Sequence, residues 1–144
     1  MITCRCDVLR RAAVAAALGV IAAGAQAGPA DDAEAFDALE LPSGQPAELS
    51  EVVHDEEAGL LRLRILAPQI SRDAEERIDP DAAFEDMQVI CDEFGLDLMR
   101  REGVERLVVS MKASELALGE TAPDVTQYFE AFRAGRAVCL WEEF

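Results

Sequence analysis

The chain has 144 residues, with 13 Lys and Arg against 29 Asp and Glu, a formal net charge of −16 and a pI near 4.3, which fits one small acidic domain. With a single lysine, Lys112, it lacks the clustered cations that neutralise nucleic-acid phosphates or hold a protein on an anionic membrane surface. A hydrophobic fraction of 51% is too high for a disordered acidic tail.

Residues 1 to 11 carry Arg5, Arg10 and Arg11 against one acid, Asp7, and Ala12 to Gln26 hold no charge. This basic segment, the apolar run after it and the small residues of Ala25-Gln26-Ala27 predict a signal peptide cleaved after Ala27. The protein is therefore expected in the periplasm, exported by the general secretory route, with Arg10-Arg11 leaving twin-arginine export as the alternative. The uncharged run is shorter than the ~20 residues that cross a bilayer, so no stable membrane anchor is expected. Cleavage leaves 117 residues with 10 bases against 28 acids, a net charge of −18.

Export discards Cys4 and Cys6 with their C-x-C spacing and leaves Cys91 and Cys139 in a compartment where disulfides persist. These two are expected to pair. A reactive thiol or metal ligand is the alternative, though neither cysteine has a C-x-x-C partner or a nearby His.

Gly28 to Glu40 is rich in Ala and acids and reads as a solvated, flexible leader, so a single domain is expected over 41–144. Leu41 to Pro46 is turn chemistry. Glu48 to Val53 and Leu60 to Leu66 then read as two strands around the turn Asp55 to Gly59; in the second, Leu61, Leu63 and Ile65 alternate with Arg62, Arg64 and Leu66. Asp79-Pro80-Asp81 supplies a capping side chain, a first-turn proline and an acid suited to the helix dipole. The helix that follows is expected to reach Phe94, with Ala83, Phe84, Met87, Ile90, Cys91 and Phe94 on its buried stripe and Gly95 as a left-handed stop.

Arg106 to Met111 is short, apolar and β-branched and predicts a buried strand, with Leu116 to Gly119 as a continuation. The C-terminal stretch fits two readings. Val125, Tyr128, Phe129 and Phe132 have helical spacing, whereas the aromatic density and the turn Arg133 to Arg136 before Ala137 to Trp141 fit a hairpin. The hairpin is preferred because both arms then lie beside the sheet. The expected fold is α+β in ββαβββ order: a small antiparallel sheet with one helix packed on a face and one disulfide.

Several stretches, taken together, resemble a family of short exported bacterial proteins of uncharacterised function. They are Leu41 to Gln45, Arg64 to Ile70, the Cys91 helix, Gly119-Glu120, and above all Thr126 to Arg133 leading to Cys139 through Phe144. The resemblance implies a signal peptide, a small domain, and a cysteine before Trp141 paired with the one on the helix. It implies no catalytic or binding residue.

Chemistry-bearing residues are few. His54 is the only imidazole and is expected in a turn beside Asp55, Glu56 and Glu57. No nucleophile elbow, zinc-peptidase motif, phosphate loop or zinc spacing occurs, so neither a cofactor nor a catalytic residue is assigned. Asp79, Asp81, Asp55 and Glu57 offer oxygen ligands for weak calcium binding, without the spacing of a calcium loop. Five of the eight aromatics fall in the last 17 residues, among them Tyr128, Phe132, Trp141 and Phe144, interleaved with Glu130, Glu142 and Glu143. The expected function is a non-catalytic binding or accessory protein that meets another periplasmic or envelope protein through this aromatic hairpin. The alternatives are a small hydrolase using His54 or a carboxylate pair, and a calcium binder.

Overall fold

The computed structural model describes residues 28–143; the expected signal peptide and Phe144 lie outside the described residues. In chain order the elements are α1 (Pro29–Asp37), β1 (Glu48–Asp55), β2 (Leu60–Leu66), α2 (Pro80–Ile90), α3 (Leu96–Glu102), β3 (Arg106–Lys112), β4 (Gln127–Ala134) and β5 (Cys139–Glu142). A wider, π-helical turn over Cys91–Gly95 joins α2 to α3, so the chain is helical from Pro80 to Glu102.

The α+β expectation is borne out. The five strands lie side by side in sequence order, antiparallel throughout except for β2 and β3, which run parallel. The parallel pair follows from the helical crossover, which carries the chain back along one face of the sheet to the end where β2 began. The helical alternative for residues 125–132 gives way to the β4–β5 hairpin, because strand alternation there buries Phe132 against the sheet's helix-covered face.

The core lies between that face and the helices. Leu61, Leu63 and Ile65 of β2, Leu107, Val109 and Met111 of β3, and Phe132 of β4 are fully out of water, packed with Met87, Ile90 and Met99 from above. Each such side chain contributes about 1.5–3 kcal/mol relative to an exposed one. The alternation seen in β2 thus separates a core face from an open face, on which Arg62 and Arg64 lie.

Three expectations need correction. Gly95 does not stop the helix: its φ is −63°, and the left-handed stop is Gly103, at φ 70°. What Gly95 provides is space: a Cβ there would lie 2.5 Å from Leu107 Cδ2 and would force that buried methyl aside. The leader is not solvated throughout, because α1 buries Phe36 edge-on to Phe94, with ring centroids 5.8 Å apart, and Asp32 accepts two 2.9 Å bonds from Arg101. One well-placed ring and one bidentate ion pair outweigh the acidic composition. Finally, Leu116 to Gly119 is not a strand but part of the loop from 113 to 126 that links β3 to β4.

Two side chains of α2 and the turn after it organise the rest. Asp86, fully buried, accepts bonds from the Ser43 N–H (2.9 Å), the Ser43 hydroxyl (2.5 Å) and the Gln45 side-chain amide (2.6 Å), fixing the loop before β1 to the helix. Asp92 accepts from the Cys139 N–H at 2.6 Å, beside the Cys91–Cys139 disulfide, whose Cα atoms are 6.0 Å apart. Gln88 completes the clamp by donating to the Cys139 carbonyl. The hairpin is therefore held on the helix by covalent and hydrogen bonds at a single residue.

Candidate functional site

The three described aromatics of the expected contact surface differ in exposure, although Phe132 and Trp141 are cross-strand partners. Phe132 is fully buried and cannot present a surface; it faces the helices, because residues of even number in β4 point into the core. Tyr128 is half-buried against that core, and Phe144 is outside the described residues. Trp141 alone keeps the expected position, 50% exposed at the lip of the sheet. Its ring meets Phe84 edge-on at 6.0 Å, and its Nε1 donates to Glu130 at 2.6 Å.

Exposed apolar residues that the sequence reading did not single out lie beside it. Of the five large hydrophobic side chains exposed among the described residues, Val138, Leu140 and Trp141 fall within four consecutive positions on and just before β5. Strand alternation puts Leu140 and Trp141 on opposite faces, so the strand carries apolar surface around its edge. Two of the three acids expected to rim it are engaged internally, Glu130 with Trp141 and Glu142 with Arg106 and Arg133, whereas Glu143 is exposed. The edge itself is partly closed, since Asp92 and Gln88 occupy the Cys139 N–H and carbonyl.

His54 belongs to β1 rather than to a turn, on the helix-facing side of the sheet. It lines a cavity of about 500 Å³ with Arg101, Glu102 and Asp32, and its Nε2 is 3.9 Å from Glu102 Oε2. No hydroxyl or thiol bonds to the ring among the described residues; the one hydroxyl lining the cavity, Ser50, donates to Glu115 instead. Two of the four oxygen ligands considered for calcium have other partners: Asp79 caps α2 through the Ala82 N–H, and Asp55 accepts from Arg62 and from the Ala58 N–H. Those bonds, Arg62 first, hold the Asp55 carboxyl below its ordinary range. Among the described residues no three His, Cys, Asp or Glu side chains group as metal ligands.

Lys112 is the least expected member of the sheet. Its side chain is only 2% exposed, and its ammonium donates at 2.6 Å to Glu115, which is 63% exposed. Bonds from Lys112 and then from the Ser50 hydroxyl lower the Glu115 carboxyl pKa. A carboxylate depressed in the native state contributes stability above its unfolded titration range and loses it as pH falls through the native one. Glu115→Gln is therefore expected to destabilise the fold by about 2 kcal/mol at neutral pH, less than for a fully buried pair because water reaches the carboxylate. Urea unfolding at a series of pH values checks this: the gap between wild type and variant should close on acidification, and a gap independent of pH would contradict it.

No helix among the described residues is long and apolar enough to cross a membrane, and the disulfide fits an oxidising compartment. A family model described as a family of unknown function matches residues 16–144, in agreement with the resemblance read from the sequence. No curated protein and no solved structure matches the chain.

Proposed function

The chain belongs to that family, DUF6497, and from this premise we propose that it is an exported, non-catalytic accessory protein of the periplasm that binds another envelope protein through β5. The observation that carries the reading is the run of exposed apolar side chains Val138, Leu140 and Trp141, placed on a short strand that the disulfide, Asp92 and Gln88 hold rigidly. Exposed hydrophobics concentrated on a pre-ordered element are typical of binding surfaces, because little entropy is lost on docking. With Cys139 already bonded on the outer edge, the contact is made by side chains more than by strand addition. The net charge of −18 in residues 28–144 favours a basic partner by long-range steering.

Export is tested first. N-terminal sequencing of protein recovered from a periplasmic fraction should begin at Gly28; recovery of full-length protein from the cytoplasm would overturn the assignment. The contact is tested by cross-linking the tagged protein in its own periplasm at low and high salt, alongside Trp141→Ala and Leu140→Asp. A stoichiometric partner that both variants lose, with their melting temperatures within a few degrees of wild type, is the expected result. The same partner retained by both variants would remove β5 as the contact surface.

A further inference from the structure

The sheet's second face, turned away from the helices, sorts its charges in an unexpected way. Along β2, β3 and β4 it carries Arg62 and Arg64, then Arg106 and the buried Lys112, then Arg133, while the one acid of these three strands, Glu130, lies on the helix-covered face. Half of the ten bases in residues 28–144 are on this one face. Acids appear on the flanking strands, as Glu48, Glu51 and Asp55 of β1 and Glu142 of β5. Each of these cations pairs with an acid, Asp55, Glu51, Glu142 or, for Lys112, Glu115, so the face is locally balanced in a chain that is otherwise strongly acidic.

A cavity of about 540 Å³ lies over part of this face, between the central strands and the loop from 113 to 126. That volume falls within the ~300–1,000 Å³ range of small-molecule sites. Its floor follows the strand register: Arg64, Ser110 and Phe129 form one row across β2, β3 and β4, and Arg62 and Val108 are neighbours in the next. One side of the floor is thus cationic and the other apolar, and the loop contributes Leu118 and Val125 together with one acid, Glu120. Arg64 ties that loop to the floor by donating to the Leu116 carbonyl, and Glu120 braces it by accepting from the Ala117 N–H at 2.9 Å.

Polar groups on the floor remain unused. Arg62 reaches Asp55 through Nε and Nη2 only, which leaves Nη1 without a partner among the described residues. The Ser110 hydroxyl and the Gln127 side-chain amide also make no bond among the described residues, whereas Phe129 and Leu118 are half-exposed or more beside them. A guanidinium nitrogen and a hydroxyl on adjacent strands suit one carboxylate. They are too few for a doubly charged phosphate, which the surrounding net charge would also repel.

We propose that this cavity binds a small amphipathic monocarboxylate, with the carboxylate on Arg62 and Ser110 and the apolar body along Phe129 under the loop from 113 to 126. The site is separate from the β5 contact surface and does not depend on it. Asp55 is a competitor for the ligand, since it holds the same guanidinium.

The test is calorimetric titration of the mature protein with decanoate, with decanol as the uncharged control and a short apolar peptide with a free C-terminus as the alternative carboxylate. Decanoate is expected to bind with a Kd of about 10–100 μM, from its size at ordinary ligand efficiency. Arg62→Met should weaken it about tenfold or more, while Asp55→Asn should leave it unchanged or tighten it. A purely structural Arg62–Asp55 pair would instead make the two variants behave alike. Phe129→Ser provides an independent variant on the apolar side and should also weaken binding. Equal affinity for decanoate and decanol, no heat at millimolar decanoate, selective binding of the peptide, or affinity unaffected by both Arg62→Met and Phe129→Ser would overturn the proposal.

Discussion

The Cys91→Ala/Cys139→Ala double variant is expected to lose about 4 kcal/mol of stability, the chain-entropy value for a loop closed over a sequence separation of 48. That is a large fraction of the ~5–15 kcal/mol typical of a small domain. The loss should be uneven across the molecule. β5 has only four residues and pairs with β4 alone, so without the covalent bond it depends on the Asp92 and Gln88 contacts at Cys139. Hydrogen exchange should accelerate first in residues 138–142, with β2 and β3 remaining protected. Urea unfolding of the double variant measures the total; a loss below 1 kcal/mol would show that those hydrogen bonds suffice.

The second large effect is expected at Asp86. Asp86→Ala removes the acceptor for the Ser43 N–H, the Ser43 hydroxyl and the Gln45 amide, and leaves these donors without their partner in a largely dry site. Three bonds to one buried carboxylate put the cost at about 3–5 kcal/mol. Asp86→Asn separates the charge from the shape: it keeps the volume but presents an amide donor to groups that also donate, so it is expected to recover less than half of the loss. Chemical unfolding of the two variants against wild type checks this. An alanine variant within 1 kcal/mol of wild type would mean that the loop before β1 is held by other contacts.

These two effects differ in how far the sequence foretold them. The cysteine pair is legible because the expected cleavage after Ala27 would leave two cysteines, one of them on a recognisable helical stripe. Asp86 is not, since an acid on an amphipathic helix ordinarily faces water, and only the return of Ser43 and Gln45, more than 40 positions earlier in the chain, gives it a buried role. Lys112 is a similar case. As a lone cation at the end of an apolar strand it reads as a strand terminus, and its burial depends on Glu115 turning back over it.

The hairpin shows the same division within a few residues. Aromatic density marked 128–141 as significant, but alternation along β4 decides that Phe132 goes inward and Phe129 outward, and the helix–strand clamp decides that Trp141 stays at the lip. His54 moved from an expected turn into β1 because strand pairing with β2 extends two residues beyond Val53.

The amino-acid sequence by itself determined the α+β class, the order of strands and main helix, and the two-sidedness of β2, because periodicity and capping are local and need no partner. Tertiary structure alone decided the parallel pairing of β2 with β3, the continuation of the helix past Gly95, the docking of α1 and the gathering of cations on one sheet face. Each of these depends on which distant surfaces meet, and a short range of sequence carries no record of that.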